Sequence, residues 1–329
     1  MHRAPRTTRQ RFLRTLACAV VVMAYTGSLW AQPATIRLVV GYPAGATSDL
    51  LTRVMAEEMS RRLNRPVIVE NKAGAGGRIA NELVKAAPAD GTTLLMTPVA
   101  TMAIFPHSYA GQLRYDPLKD FVPVAHLTNF QLGLGVGTAI PARSVKEYVD
   151  WVKSDPDKNG FYGSAAPGSI PHFFGVMLGQ AAGIPMTHVP YKGTAEQMLA
   201  VASGQVMVGV NSNGFAPFVD NGQLRLLATM GAQRSRRWSQ VPTLRELGHG
   251  IVAESPYGLA GPAGMPAEVV QVLHDAFKAA MHAPAHVAEL AKYDQVLAYL
   301  GPQDYGRAMR AAYEAERLAV QRLGLARKE

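Results

Sequence analysis

Two stretches of this chain share one pattern. In YPAGATSD, Tyr42 to Asp49, a short apolar run has just ended, a Pro-Ala-Gly turn follows, and a helical pattern starts at Ser48 or Asp49. In YGSAAPGSIPHFFG, residues 162–175, strand residues end at Gly163, a Ser/Ala/Gly loop follows, and a helix starts near Ser169. Pro171 suits the first turn of that helix. Side chains this small leave main-chain N–H groups uncovered. Unpaired amides at a helix start, with the positive end of the helix dipole behind them, favour an anion. Gly45 allows a positive φ, and Ala44 and Ala46 keep the first loop bare. Thr47, Ser164 and Ser169 add hydroxyls, and the backbone around Gly168 to Ile170 supplies a second set of amides. One such loop is equally an ordinary strand-to-helix turn with Asp49 as its cap. Two of them can clamp a small acid from both sides.

Other chemistry has less to work with. KAGAGGR (72–78) looks like a phosphate-binding loop, yet it lacks the Gly-Lys-Ser/Thr ending and the dinucleotide spacing. A helix packed close to the sheet accounts for it better. His282 and His286 are four apart, but Pro284 between them breaks a helical metal pair. There is no G-x-S-x-G, no H-E-x-x-H and no pair of carboxylates in a catalytic setting. A secreted α/β enzyme acting on a small anionic substrate is the competing reading. It would have to draw its base and nucleophile from His172, Asp49 and the serines. Neither a cofactor nor a metal is expected.

The elements that must position these loops alternate between strand and helix. TIRLVV (35–40), PVIVE (66–70), TTLLMT (92–97) and FVPVAHL (121–127) read as strands, with helical spacing over 48–63 and 76–87 between them. A second set follows, with strands at 132–137, 161–165, 187–191, 206–210 and 224–230 and helices at 144–154, 170–182 and 194–203. Helices near 267–281 and 303–323 close the chain. Alternation of this kind favours α/β architecture with doubly wound parallel sheets. No low-complexity linker separates the two sets. The layout predicted is therefore discontinuous, with residues 32–130 and 231–329 in one lobe and 131–230 in the other. Two hinge crossings, near 127–136 and 224–231, would flank a cleft.

The formal charge of +9 is concentrated at the N-terminus. The first 31 residues hold five arginines and no acid, which leaves 28 basic against 24 acidic residues, or +4, on the rest. No Lys/Arg run is interleaved with aromatics, so a nucleic-acid partner is not expected. An arginine-rich start, an apolar stretch from about Leu16 to Tyr25 and TGSLWAQPA read as a secretory signal peptide ending at Ala31. Gln10 separates Arg9 from Arg11, which departs from a twin-arginine signal. Cys18 is the sole cysteine and lies inside that segment, so the mature chain has neither disulfide nor thiol.

Over about residues 35–322 the chain resembles the Bug family of receptors, the extracytoplasmic solute-binding proteins of tripartite tricarboxylate transporters. The resemblance is carried by VVGYPAGATSDLLTR, PVIVENKAGAGGRIANELVKAAPADGTTLL, YDPLKDFVPVAHL, YGSAAPGSIPHFFG, HVPYKGTAEQMLAVASGQV, VPTLRELG and GLAGPAGMP, in that order. It implies a two-lobed periplasmic binding protein fold, type II-like, that holds a small carboxylate in the cleft. It further implies a membrane transporter or sensor as partner, a periplasmic location and a monomer. Carried over by position, Tyr42 to Asp49 and Ser164 to Ser169 would face the ligand, with Thr97 and Asn211 lining the cleft. Tyr257 would form a side wall, and His172 stands at the start of its helix among the ligand-facing candidates. The chain departs from the family pattern at several of these places. Ala46 and Ala166 stand where glycine is more frequent, Ala200 and Asn211 where an acid is common, and Tyr257 where tryptophan is common.

Overall fold

The computed structural model describes residues 34–164, 170–252, 254–293 and 295–323. The signal peptide expected over 1–31 lies outside the described residues, as do Ala166, Gly168 and Ser169. β1 (Ile36–Val40) leads into α1 (Thr47–Leu63), β2 (Val67–Asn71), α2 (Arg78–Lys85), β3 (Thr93–Pro98), the short α3 (Val99–Ala103) and α4 (Phe105–Ser108), and β4 (Phe121–Gln131). The chain runs on as β5 (Gly133–Gly137), α5 (Val145–Ser154), α6 (Pro156–Asn159), β6 (Phe161–Ser164), α7 (Ile170–Ala182), β7 (Thr187–Pro190), α8 (Thr194–Ala202), β8 (Val208–Asn211), α9 (Ala216–Asp220) and β9 (Leu224–Thr229). It finishes with β10 (Glu254–Pro262), α10 (Ala267–Met281), α11 (Pro284–Lys292), β11 (Val296–Leu300) and α12 (Pro302–Leu323). Helices α3, α4, α6, α9 and α11 and strand β11 have no counterpart in the sequence reading. All six are short, and five are five residues or fewer, below the length at which periodicity speaks.

Two sheets result, a six-stranded one ordered β11-β4-β10-β3-β1-β2 and a five-stranded one ordered β7-β6-β8-β5-β9. The α/β fold is as expected, but the sheets are mixed rather than purely parallel. β1 is parallel to β2 and β3, and β6 to β7 and β8, as helical crossovers require. β10 instead runs antiparallel between β3 and β4, and β5 antiparallel between β8 and β9. The chain changes sheets at these strands. β4 hands directly to β5 across Leu132, and the return is made between β9 and β10. A strand reached from the other sheet need not follow the parallel rule of a crossover over its own.

β1 is buried apart from Arg37, the continuous apolar run of a central strand. α1 buries Leu51, Met55 and Met59, one face at four-residue spacing, and α10 packs on it. At the end of β1 a Cβ on Gly41 would lie 2.7 Å from Gly77 Cα. Strand end and helix start therefore touch backbone to backbone, which requires glycine at 41, while positive φ at Gly74, Gly76 and Gly77 accounts for the glycines of KAGAGGR.

His282 donates from Nδ1 to the Lys278 carbonyl at 2.8 Å, beyond the end of α10, while Pro284 opens α11. His282 thus caps one helix while His286 belongs to the next. His286 is fully buried, and neither of its ring nitrogens has a partner among the described residues. Burial holds its pKa down to about 4. An unfolded histidine titrates near 6.5. As pH falls below that value the unfolded chain gains a proton that the folded chain refuses. The stability His286 leaves intact above pH 6.5 is therefore lost progressively toward pH 4. His286→Leu should remove this loss, about 3 kcal/mol between pH 7 and pH 4. Urea unfolding of both proteins at several pH values checks it, and parallel acid limbs would refute the assignment.

Candidate functional site

Four helices start at one cavity. Ala46, Pro98 and Gly193 are the N-cap residues of α1, α3 and α8; all three line the cavity, and none gives its helix a side-chain hydrogen bond. Ile170 and Pro171, the first turn of α7, line it as well. α1 and α3 follow strands of the six-stranded sheet, α7 and α8 strands of the five-stranded one. Unpaired amides therefore converge from both sheets.

The first loop is held open by its own residues. Gly45 adopts φ +82° and donates its N–H to Asp49 Oδ2 at 2.8 Å. Asp49 also accepts from Arg53 Nε at 3.0 Å and from Asn71 Nδ2 at 2.9 Å, and only 1 % of it is exposed. Burial pushes its pKa up, but the bonds from Arg53, Gly45 and Asn71 outweigh this and hold the carboxyl below its usual range. Asp49 is thus the third helical residue reaching back past a vacant cap, half of a capping box with alanine in place of serine. The Ala46 N–H is spent on the Pro43 carbonyl at 3.2 Å. The N–H groups of Thr47, Ser48 and Asp49 have no acceptor among the described residues, and the hydroxyls of Thr47 and Ser48 stand beside them at the cavity.

On the facing wall Asn211, 2 % exposed, ends β8 and lines the cavity beside Thr194. Gln197 lies behind them, fully buried, and donates from Nε2 to the Gly163 and Val210 carbonyls at 2.7 and 3.0 Å. It ties α8 to β6 and β8. Thr101 lines the first wall and gives its hydroxyl to the Pro98 carbonyl at 2.9 Å. Tyr257 packs against Phe130 with the rings tilted at 36° and their centroids 4.8 Å apart. Burial pushes the Tyr42 and Tyr257 phenols well above the usual tyrosine range, so both remain neutral donors. No charged side chain appears among the described lining residues.

Of the residues selected from sequence, Tyr42, Pro43, Ala46, Thr47, Ser48, Asn211 and Tyr257 line the cavity. Ala44 and Gly45 do not, because they form the exposed tip of the loop. Asp49 is enclosed by its three donors. Thr97 is 1 % exposed and bonds Thr101 at 2.9 Å, so it braces the wall rather than forming it. Ser164 is fully buried with Oγ 2.7 Å from His188 Nε2, and the His172 ring stacks on His188 at 4.0 Å. Burial, with His172 adding to it, lowers the His188 pKa to about 3. Neither Ser164 nor His172 is among the residues that line the cavity: Ser164 is bonded to His188, and the His172 ring is stacked on it. Ala200 is no missing cleft acid: it packs in the core of the five-stranded side, 4 % exposed, against helix and strand. Thr194, Thr101 and Gln197 were not selected. Gly193–Thr194 carries the same small-residue helix start as the two loops that were, so its signal was present.

Two α/β sheets joined by two passages, with helix N-termini ringing the cavity, are the architecture of the periplasmic binding proteins. Residues 51–325 match the tripartite tricarboxylate transporter family receptors, TctC, and the chain belongs to that family. It is 39% identical over 294 residues, 89% of each chain, to the UPF0065 protein in the gbd 5′ region of Cupriavidus necator. Among solved structures it is similar to R. palustris Rpa4515 with adipate (TM-score 0.84, 28% identity, covering 89% of this chain and 99% of that one). It is also similar to MatC from Rhodopseudomonas palustris with bound malate (TM-score 0.80, 26% identity, 87% and 98% covered).

Proposed function

We propose that this chain is an exported receptor that captures a small organic carboxylate between two lobes and presents it to a membrane transporter or sensor. Residues 32–130 with 231–329 form one lobe in this reading and 131–230 the other, and they close as the ligand bridges them. The observation that carries it is the set of helix starts without side-chain caps, contributed from both sheets to one uncharged cavity. A carboxylate there is held by N–H dipoles and hydroxyls rather than by an ion pair. The adipate and malate held by the two relatives belong to the same chemical class. Closure follows from differential binding: contacts from both walls exist together only in the closed form. A Cβ on Gly193 would already lie 3.7 Å from Pro43 Cγ, so the two walls approach each other at the rim. The receptor works by binding alone, as a monomer, and returns its ligand unaltered.

Thermal unfolding of residues 32–329 with adipate, malate and their diamides tests this. A ligand at one hundred times its Kd adds about 2.7 kcal/mol of stability. The acids should raise Tm and the diamides should not. Equal shifts from acid and diamide, or chemical conversion of a bound acid, would overturn the reading.

The vacant cap gives a sharper variant. Ala46 has φ −67° and ψ 154°, the backbone an N-cap requires. Ala46→Asp should cap α1 and raise the unfolding free energy by about 1 kcal/mol. The same carboxylate would occupy the amides meant for the ligand and weaken acid binding at least roughly tenfold. Stability and affinity moving in the same direction would contradict the site.

A further inference from the structure

We infer that the ligand presents a hydrogen-bond donor, a hydroxyl beside its carboxylate, to the side-chain oxygen of Asn211. This deepens the receptor reading and rests on it. The chain of reasoning starts behind the wall. The amide of Gln197 has one nitrogen and one oxygen, and its nitrogen faces two main-chain carbonyls, Gly163 and Val210, at 2.7 and 3.0 Å. Carbonyls accept only, so this orientation is fixed and the oxygen of Gln197 must accept. Its donor is Asn211 Nδ2 at 2.5 Å. The other Nδ2 hydrogen is directed at Thr194 Oγ1, 3.5 Å away.

Asn211 is thereby oriented as well. Both hydrogens of its amide are engaged within the wall, and Oδ1, which has no donor among the described residues, is the polar atom it can offer. An oxygen acceptor in a cavity wall repels a carboxylate and pairs with a donor. Thr194, next to it, opens α8, whose N-cap Gly193 leaves the first amides uncapped. The same corner therefore combines anion-binding N–H groups with a neutral acceptor. A carboxylate bearing an adjacent hydroxyl satisfies both, and the matching acid without the hydroxyl leaves Asn211 Oδ1 desolvated and unpaired.

The test uses matched probes on residues 32–329 by calorimetric titration: malate against succinate, and citrate against tricarballylate, each pair differing by one hydroxyl. The hydroxy acid of at least one pair should bind about tenfold tighter. Asn211→Leu should erase that preference while the deoxy acid still binds. Because this variant strands Gln197, the double variant Asn211→Leu with Gln197→Leu is titrated alongside it, and the preference should be absent there too. Deoxy acids binding as tightly as their hydroxy partners, or a preference that survives in either variant, would overturn the inference and leave the receptor standing. No binding of any acid would overturn the receptor reading and this inference with it.

Discussion

Asp49→Ala should cost more ligand affinity than any change at the exposed loop tip, although its side chain does not line the cavity. Asp49 is the acceptor that fixes Gly45, Arg53 and Asn71 together. Arg53 is about half exposed and regains water when the carboxylate is removed, so its share of the loss is small. Asn71 is less free, since the same amide also holds the Tyr42 carbonyl at 3.0 Å. Loss of these bonds should lower the unfolding free energy by about 2 kcal/mol. The functional loss is larger, because the Tyr42–Thr47 turn would no longer present the Thr47, Ser48 and Asp49 amides in one direction. Acid affinity should fall by about a hundredfold, the loss expected when preorganised donors must be ordered on binding. Arg53→Ala is the control. It removes the ion pair and the bond to Asn71 Oδ1 but leaves Gly45 and Asn71 bound to Asp49, so it should lower stability while costing much less affinity than Asp49→Ala. The depressed pKa of Asp49 sets the sign with pH: its contribution is present above the unfolded value and is lost as pH falls through the lower folded one. If Asp49→Ala binds acids as wild type does, the loop is held by something other than this carboxylate.

This residue also shows where sequence reading stops. The bare loop before α1 was legible because its cause is local: small residues, one glycine and a helix signal within eight positions. Which donors remain for a ligand was not legible. That depends on Asn71, 22 residues away on β2, and it reverses the apparent roles of Gly45 and Asp49. The second loop shows the same limit. Ser164 and His172 looked ligand-facing by position, yet both are engaged by His188 from the neighbouring strand, the first by a hydrogen bond and the second by ring stacking. The alternation of strands and helices was enough for the class of fold. It could not reveal that β5 and β10 run antiparallel to their neighbours, because direction is set by the passage between sheets rather than by any pattern inside the strand. Thr194 is different, a signal present in the sequence and passed over. Gln197 is the opposite case, a polar residue in an apolar helix face whose partners lie 34, 13 and 14 positions away.

Gln197→Glu exchanges one side-chain atom at that junction. At neutral pH the new carboxylate would place an oxygen without a hydrogen against the Gly163 and Val210 carbonyls, in a position with no solvent exposure. Two carbonyls lose their donor and a buried charge gains no cation. The unfolding free energy should drop by about 3 to 5 kcal/mol at pH 7, the range for an uncompensated buried charge. Protonation restores one of the two donors, so the folded state favours the neutral acid and raises its pKa above the unfolded value of about 4.3. A raised pKa means that the deficit relative to wild type is smallest below about pH 4.3 and grows as pH rises toward the folded pKa. Comparing variant and wild type at each pH cancels the opposite slope contributed by His286. Asn211 keeps an oxygen to donate to in either protonation state, so its orientation should persist, and with it any preference among acids measured near pH 5. Urea unfolding from pH 4 to pH 8 reads the difference directly. A deficit that does not change with pH would mean that Gln197 Nε2 does not face those carbonyls, and the orientation assigned to Asn211 would fall with it.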